Sequence, residues 1–319
     1  MHCLVTGCAG FIGSHLTEAL LASDHSVRGI DSISDYYPQT IKEANLMALT
    51  RHQGFEFHRQ DILSCDIKAL LENIEVIFHL AAQPGVRASW GKSFGIYVDA
   101  NIRATQILLE AAINKKPSPR FVYASSSSVY GDTDRIPMRE SDPTRPRSPY
   151  GVTKLAAENL CGLYTANFGL HTVSLRYFTV FGPRQRPDMA IHRFLLSTLN
   201  GSQVPLYGDG SQMRDFTYVA DIVDGTIRAA TGGSPGGIYN LGGGNKLSVN
   251  ELIRAISRIG GRRPEIVEKK LQVGDVRVTL AHTNAAFNDL GWTPKHSMED
   301  GLKAELEWLR NCIDKKIIK

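Results

Sequence analysis

His2-Cys3-Leu4-Val5-Thr6-Gly7-Cys8-Ala9-Gly10-Phe11-Ile12-Gly13 follows Met1 at the start of the chain. A β-forming run enters a glycine turn and leaves it in a helix-period run. That order brings backbone N–H groups and a helix N-terminus to one point, where a pyrophosphate is stabilised. The spacing is G-x-x-G-x-x-G, one residue longer than G-x-G-x-x-G, and taken alone it also suits an ordinary tight turn. Asp31 closes the second strand-like run, 18 residues after Gly13. A carboxylate there accepts hydrogen bonds from both hydroxyls of an adenosine ribose and repels a 2′-phosphate. No Arg follows within Asp31-Ser32-Ile33-Ser34-Asp35, so NAD is expected over NADP.

Outward from this turn, β-rich runs at 2–6, 26–30, 55–59, 76–80, 121–124 and 172–176 alternate with helix-period runs such as 11–22, 97–113 and 149–168. The alternation predicts an α/β fold of Rossmann type, a doubly wound parallel sheet with right-handed crossovers. Beyond Arg176 the pattern becomes short strands and Gly-rich turns, with helices near 192–200, 249–259 and 298–313, so a smaller C-terminal α/β substrate lobe is expected. The expected division is a dinucleotide-binding domain over 1–178, with returning segments from about 215–245, and a substrate-binding lobe over 179–319. A chain of 319 residues with 42% hydrophobic and 21% charged residues excludes a small disulfide-pinned scaffold and wholesale disorder. The formal net charge of +4 comes without basic runs, which argues against a nucleic-acid partner. No apolar stretch reaches the length of a membrane span. Five scattered cysteines without C-x-x-C spacing give no metal or disulfide frame and fit a reducing cytoplasm.

Tyr150 and Lys154 lie four apart at the start of a helix with Ser148 as N-cap and Pro149 in its first turn, so both side chains leave one face. With 11 Tyr and 14 Lys, chance supplies about half a Y-x-x-x-K pair in a chain of this length, so the pair alone decides nothing. Its context is Ser125-Ser126-Ser127-Ser128-Val129-Tyr130-Gly131 at the carboxyl end of the fifth strand, where open α/β sheets place ligands.

Together the glycine turn, Asp31, His79-Leu80-Ala81-Ala82, SSSVYG, SPYGVTK and LRYFTVFGPRQRP resemble the extended short-chain dehydrogenase/reductase family over nearly the whole chain. Within it the chain is similar to nucleotide-sugar 4-epimerases, and FGPRQRPDMA with AAQPGVRASWGK most to the UDP-glucuronate 4-epimerases. The resemblance implies NAD as cofactor, a UDP-sugar as substrate and a homodimer built on the helices near Tyr97 and Tyr150. It makes Ser126, Tyr150 and Lys154 catalytic, and Asn101 part of an active-site water path. The implied cofactor set is Gly7, Gly10, Phe11, Ile12, Gly13, Asp31, Ser32, Asp61, Ile62, Leu80, Ala81, Ala82, Tyr177, Tyr150 and Lys154. A tyrosine at its ordinary pKa is a weak base at neutral pH, and the Lys154 ammonium and a positive nicotinamide are expected to favour the phenolate.

A nucleotide-sugar site needs cations for the diphosphate, a ring for the uracil and, for a uronic acid, a carboxylate holder. Arg214 and Arg277 match family nucleotide ligands, and Tyr207 matches the stacking aromatic. Arg186 is the first candidate for the sugar carboxylate because its fork holds two oxygens, and Arg87 is the second. Thr179, where relatives carry Asn, leaves room for that carboxylate, and Ser127 and Ser128 complete the expected substrate set with Ser126 and Tyr150. The expected activity is NAD-dependent epimerisation of UDP-glucuronate to UDP-galacturonate through a 4-keto sugar. UDP-glucuronate decarboxylation is the alternative, against which stands Ser128 where those relatives carry Glu. A 4-epimerase of UDP-glucose or UDP-N-acetylglucosamine and a catalytically silent NAD-binding scaffold are the further readings.

Overall fold

The computed structural model describes residues 1–270 and 272–318. Its strands, in chain order, are β1 His2–Thr6, β2 Ser26–Ile30, β3 Phe55–His58, β4 Val76–His79, β5 Arg120–Ser126, β6 Thr172–Tyr177, β7 Val180–Phe181, β8 Gln203–Tyr207, β9 Met213–Tyr218, β10 Gly237–Leu241, β11 Asn245–Ser248, β12 Glu265–Lys269 and β13 Val278–Thr279. Seven of them form one parallel sheet in the order β10-β6-β5-β4-β1-β2-β3. Strands β4 and β6 are buried at every position, as expected of a parallel sheet covered on both faces. One face packs Leu16 and Leu20 of helix Phe11–Ala22 with Ile222 and Val223 of helix Val219–Gly232. The other packs Leu108 and Leu109 of helix Ala104–Ile113 with Ala157 and Cys161 of helix Pro149–Phe168.

The chain order reverses between β1 and β4, the switch point at which open sheets leave a crevice beyond the carboxyl ends of their strands. The remaining strands build the smaller lobe, with β11-β9-β13 and β7 beside β9 in one sheet and β12-β8 in another. Helices Ala190–Asn200, Val249–Gly260 and Met298–Asp314 cover them around Phe194, Ile256 and Leu302.

The expected helix over 97–113 is broken. Phe94–Tyr97 and Ala104–Ile113 are joined by a wide π-helical turn, Val98–Arg103, which directs Asn101 inward. Asn101 Oδ1 accepts from Gln83 N at 2.7 Å, and its Nδ2 donates to Gln83 O at 3.1 Å and to Thr153 Oγ1 at 2.9 Å. A regular helix pattern in the sequence carries no sign of this side-chain network, which fixes the turn.

Candidate active site

At the switch point, Gly7 adopts φ +72°, and a Cβ there would stand 2.9 Å from the backbone nitrogen of Ala81 on the neighbouring strand exit. A Cβ on Gly13 would run into the carbonyl of Gly7. Both positions therefore need glycine, one for conformation and one for close helix-to-strand packing. Gly10 caps the following helix without a side chain, leaving the first-turn N–H groups for an anion. Asp31 stands beside the turn, accepting from Ala9 N at 3.1 Å and Ile33 N at 2.8 Å, while burial raises its carboxyl pKa.

These groups line a cavity of about 460 Å³ that runs across the sheet edge. Every residue of the expected cofactor set lies on its wall: Gly7, Gly10, Phe11, Ile12, Gly13, Asp31, Ser32, Asp61, Ile62, Leu80, Ala81, Ala82, Tyr150, Lys154 and Tyr177. Thr6 Oγ1 holds the floor by accepting from Leu80 N and Ala81 N at 3.1 and 3.0 Å. Behind it, His79 bridges Thr6 and Thr105 through its two ring nitrogens, and burial pushes its pKa down to about 3, so it is a neutral structural group.

Helix Pro149–Phe168 starts as expected, with Ser148 Oγ accepting from Gly151 N at 3.1 Å and Pro149 in the first turn. Tyr150 and Lys154 project from it into the cavity. The electrostatics differ from the sequence expectation. Burial raises the Tyr150 pKa, and the groups that offset it are the Ser126 hydroxyl, by hydrogen bonding, and the Arg186 charge. Lys154 is only 3% exposed, sits 4.7 Å above the centre of the Tyr123 ring, and is pushed by burial down to about 7. The charge that favours the Tyr150 phenolate is that of Arg186, while burial disfavours the ammonium form of Lys154.

Ser126 ends β5, and its Oγ accepts from Ser128 N at 3.1 Å. Ser127 and Ser128 form the short turn Ser127–Val129, and Ser126, Ser127 and Ser128 line neither this cavity nor the one in the smaller lobe, whereas Ser125 lines the first. A second cavity, of about 170 Å³, opens in the smaller lobe and gathers Arg87, Thr179, Tyr207 and Arg214. Arg87 stacks its guanidinium 4.0 Å over the Tyr207 ring and pairs with Asp275 at 2.9 Å. Arg214 spends donors on the carbonyls of Met213, Val276 and Arg277. Arg277 itself is exposed and does not line this cavity. Arg186 lies on the first cavity, with its fork closed by Asp188 at 3.0 Å through Nε and 3.0 Å through Nη2.

Sequence reasoning missed Lys42, Tyr36, Tyr37 and Asp188. Lys42 lines the first cavity, donates to the Ser34 carbonyl and hydroxyl at 2.8 and 3.0 Å, and lies over Tyr37. It stands eleven positions after Asp31 on helix Gln39–Leu49, beyond the stretch inspected for a cation. Asn45, one turn further, donates to Ala9 O at 3.0 Å and ties that helix to the glycine turn. The apolar period of 39–49 was the available signal. Among the described residues no cluster of His, Cys, Asp or Glu is placed to hold a metal, and no helix is long and apolar enough to cross a membrane.

Residues 4–304 match the family model described as GDP-mannose 4,6 dehydratase. The chain is 44% identical over 313 residues to an uncharacterized UDP-glucose epimerase, YtcB, of Bacillus subtilis, covering 97% of this chain and 98% of that one. It is 38% identical over 317 residues to a UDP-glucuronate 4-epimerase of Thermodesulfobacterium geofontis, covering 98% and 97%. Among solved structures, the UDP-glucuronic acid 4-epimerase of Bacillus cereus in complex with UDP-glucuronic acid and NAD superposes with a TM-score of 0.94. Identity there is 44%, and coverage is 98% of this chain and 99% of that chain.

Proposed function

Because this chain belongs to the GDP-mannose 4,6 dehydratase family, of extended short-chain dehydrogenase type, we propose that it is an NAD-dependent isomerase that epimerises UDP-glucuronate at C4 to UDP-galacturonate. One observation carries the reading: Tyr150, Lys154 and Arg186 meet on the wall of a cavity that begins at a glycine cradle. The cradle fits a dinucleotide, since the helix that follows Gly10 has no side-chain cap and leaves its first-turn N–H groups on the same cavity wall as the carboxylate of Asp31. Gly7, Gly10 and the first turn of the following helix would hold the pyrophosphate, Asp31 and Ser32 the adenosine ribose, Asp61 and Ile62 the adenine edge, and Lys154 the nicotinamide ribose. NAD, when bound, supplies the acceptor and donor of the C4 hydride.

Tyr150 takes the proton of the sugar 4-hydroxyl and returns it to the same oxygen once the 4-keto sugar has turned over and been reduced on the opposite face of C4, with Ser126 holding that oxygen. The phenolate needs cationic support against burial, and Arg186 gives it in this state. Arg186 also suits the sugar carboxylate, since a planar fork fixes both oxygens and so fixes the angle of the C5–C6 bond. That control matters, because a 4-keto uronic acid is a β-keto acid and loses CO₂ when the carboxylate bond stands perpendicular to the keto plane. Thr179, Arg87, Tyr207 and Arg214 gather around the second cavity, where the nucleotide diphosphate and uracil belong. Ser127 and Ser128 border the catalytic serine, and Arg277 reaches the nucleotide from outside that cavity.

We further assign a homodimer in the cytoplasm. Exposed Val152 and Leu163 stand eleven residues, three helical turns, apart on one outward face of helix Pro149–Phe168, and Trp90 and Phe94 are exposed near the neighbouring helix. All five cysteines are free, in keeping with a reducing compartment. Incubation of the NAD-loaded protein with UDP-glucuronate, with products separated by chromatography and mass, tests the activity. UDP-galacturonate of unchanged mass is expected. A UDP-pentose with CO₂ would make the protein a decarboxylase, turnover of UDP-glucose alone a neutral-sugar epimerase, and no turnover with any UDP-sugar a silent scaffold.

A further inference from the structure

Arg186 and Asp188 form a bidentate pair at the neck between the two cavities. Arg186 lies on the wall of the first and Asp188 on the wall of the second. A UDP-sugar with its hexose at Tyr150 and its nucleotide beside Tyr207 has to pass this neck. The pair is held on its far side by Tyr36, whose hydroxyl donates to Asp188 Oδ2 at 3.4 Å. The loop that carries it is braced from within: Gln185 N donates to Gly182 O at 3.1 Å, Gln185 Nε2 donates to Val180 O at 2.9 Å, and His192 N donates to Gln185 Oε1 at 2.9 Å. The two partners differ in exposure. The Arg186 side chain is 21% exposed and that of Asp188 40%.

We propose that Asp188 is an internal stand-in for the substrate carboxylate and a specificity-determining residue, which a uronic acid displaces from Arg186 and a neutral hexose does not. This rests on the reading above that Arg186 receives the sugar carboxylate. The exchange replaces one carboxylate by another on the same fork, so the charge around the guanidinium is unchanged. Asp188, already near water, leaves at little desolvation cost. A neutral sugar offers no second anion, and breaking the pair for it would leave a mostly buried cation without its partner. The contact therefore lowers the apparent affinity for acidic sugars and leaves that for neutral sugars unchanged, because only the fraction of molecules with an open fork is ready to bind a second carboxylate.

Asp188→Asn tests this against two substrates. The KM for UDP-glucuronate is expected to fall by about three- to tenfold, the range set by the population of a partly exposed ion pair, while kcat and the KM for UDP-glucose each move by less than about twofold. An unchanged or raised KM for UDP-glucuronate, or equal shifts for both sugars, would overturn the proposal. Should the variant not fold, crystals of the wild type decide. With UDP-glucuronate bound, the Arg186–Asp188 pair is expected open, and with UDP-glucose bound it is expected closed. A closed pair beside bound UDP-glucuronate would refute it. Wild-type protein that fails to turn over UDP-glucuronate would overturn both the stand-in role and the function. Normal turnover with an indifferent Asp188→Asn variant would remove only the former.

Discussion

Lys154→Met should make the NAD-free protein more stable while abolishing its turnover. The reason lies in where the ammonium sits. Burial takes its pKa from an ordinary 10.5 down to about 7, and among the described residues no carboxylate makes direct ion-pair contact with it to compensate. The nearest acid on the same helix, Glu158, spends its oxygens on Arg176 at 2.6 and 3.1 Å and on the Ser125 hydroxyl at 2.6 Å. Between pH 7 and pH 10.5 the unfolded chain therefore holds one proton more than the native one at this site. Native stability rises with pH across that window, by up to about 1.4 kcal/mol per pH unit, and the full penalty is present below pH 7. At pH 7 the penalty is roughly 4 kcal/mol, and loss of the contact with the Tyr123 ring returns about 1 kcal/mol or more of it. The expected gain for the methionine variant is thus about 2–3 kcal/mol at pH 7, shrinking as pH climbs toward 10. Urea unfolding of both NAD-free proteins from pH 6 to pH 9.5 measures it, the difference between them cancelling the other titrating groups. A methionine variant less stable than wild type at pH 7, or a difference independent of pH, would refute the reasoning.

Tyr150→Phe should lower kcat by at least about a thousandfold, the size of a lost general base, and leave NAD bound, as read by fluorescence titration. Because the pKa of Tyr150 is raised, kcat/KM should increase with pH above neutrality, and Arg186→Gln should move that acid limb to still higher pH, since Arg186 favours the phenolate. Gly13→Ala places a methyl against the Gly7 carbonyl, backbone on backbone, and should cost about 1–3 kcal/mol in stability and weaken NAD binding at least about tenfold by calorimetry. Asn101→Ala strips partners from Gln83 and Thr153 and should lower stability by about 1–3 kcal/mol in urea unfolding, with Asn101→Asp failing to restore it because a carboxylate cannot donate to Thr153.

The parallel sheet was readable because its strands are short β-rich runs between long helix-period runs, and β1 and β2 begin and end where that pattern places them. The break at Val98–Arg103 was not, since the π-turn is imposed by Gln83 and Thr153, partners distant in sequence that no local period reports. The seventh strand, Gly237–Leu241, falls within the stretch of about 215–245 expected to return to the large domain, but no local pattern marked it as a strand of the sheet, since its place there is set by pairing with β6, far away in sequence. At the site, spacing brought out Tyr150, Lys154 and the glycines, because their geometry is local to one turn or one helix face. Asp188 escaped notice because its role depends on which side of Arg186 it occupies, and a charge two residues from an arginine carries no such information. Lys42 acts on Asp31 from the first turn of the following helix, beyond an intervening loop, so inspection of the adjoining residues could not find it.

In the proposed reaction, hydrogen leaves C4 of the sugar and returns to the same carbon within one binding event. Incubating the enzyme in ordinary water with UDP-glucuronate deuterated at C4, and examining the product by mass and proton NMR, tests it directly. UDP-galacturonate with the deuterium still on C4 is the expected result. Deuterium lost to water, or a UDP-pentose released with CO₂, would contradict the account.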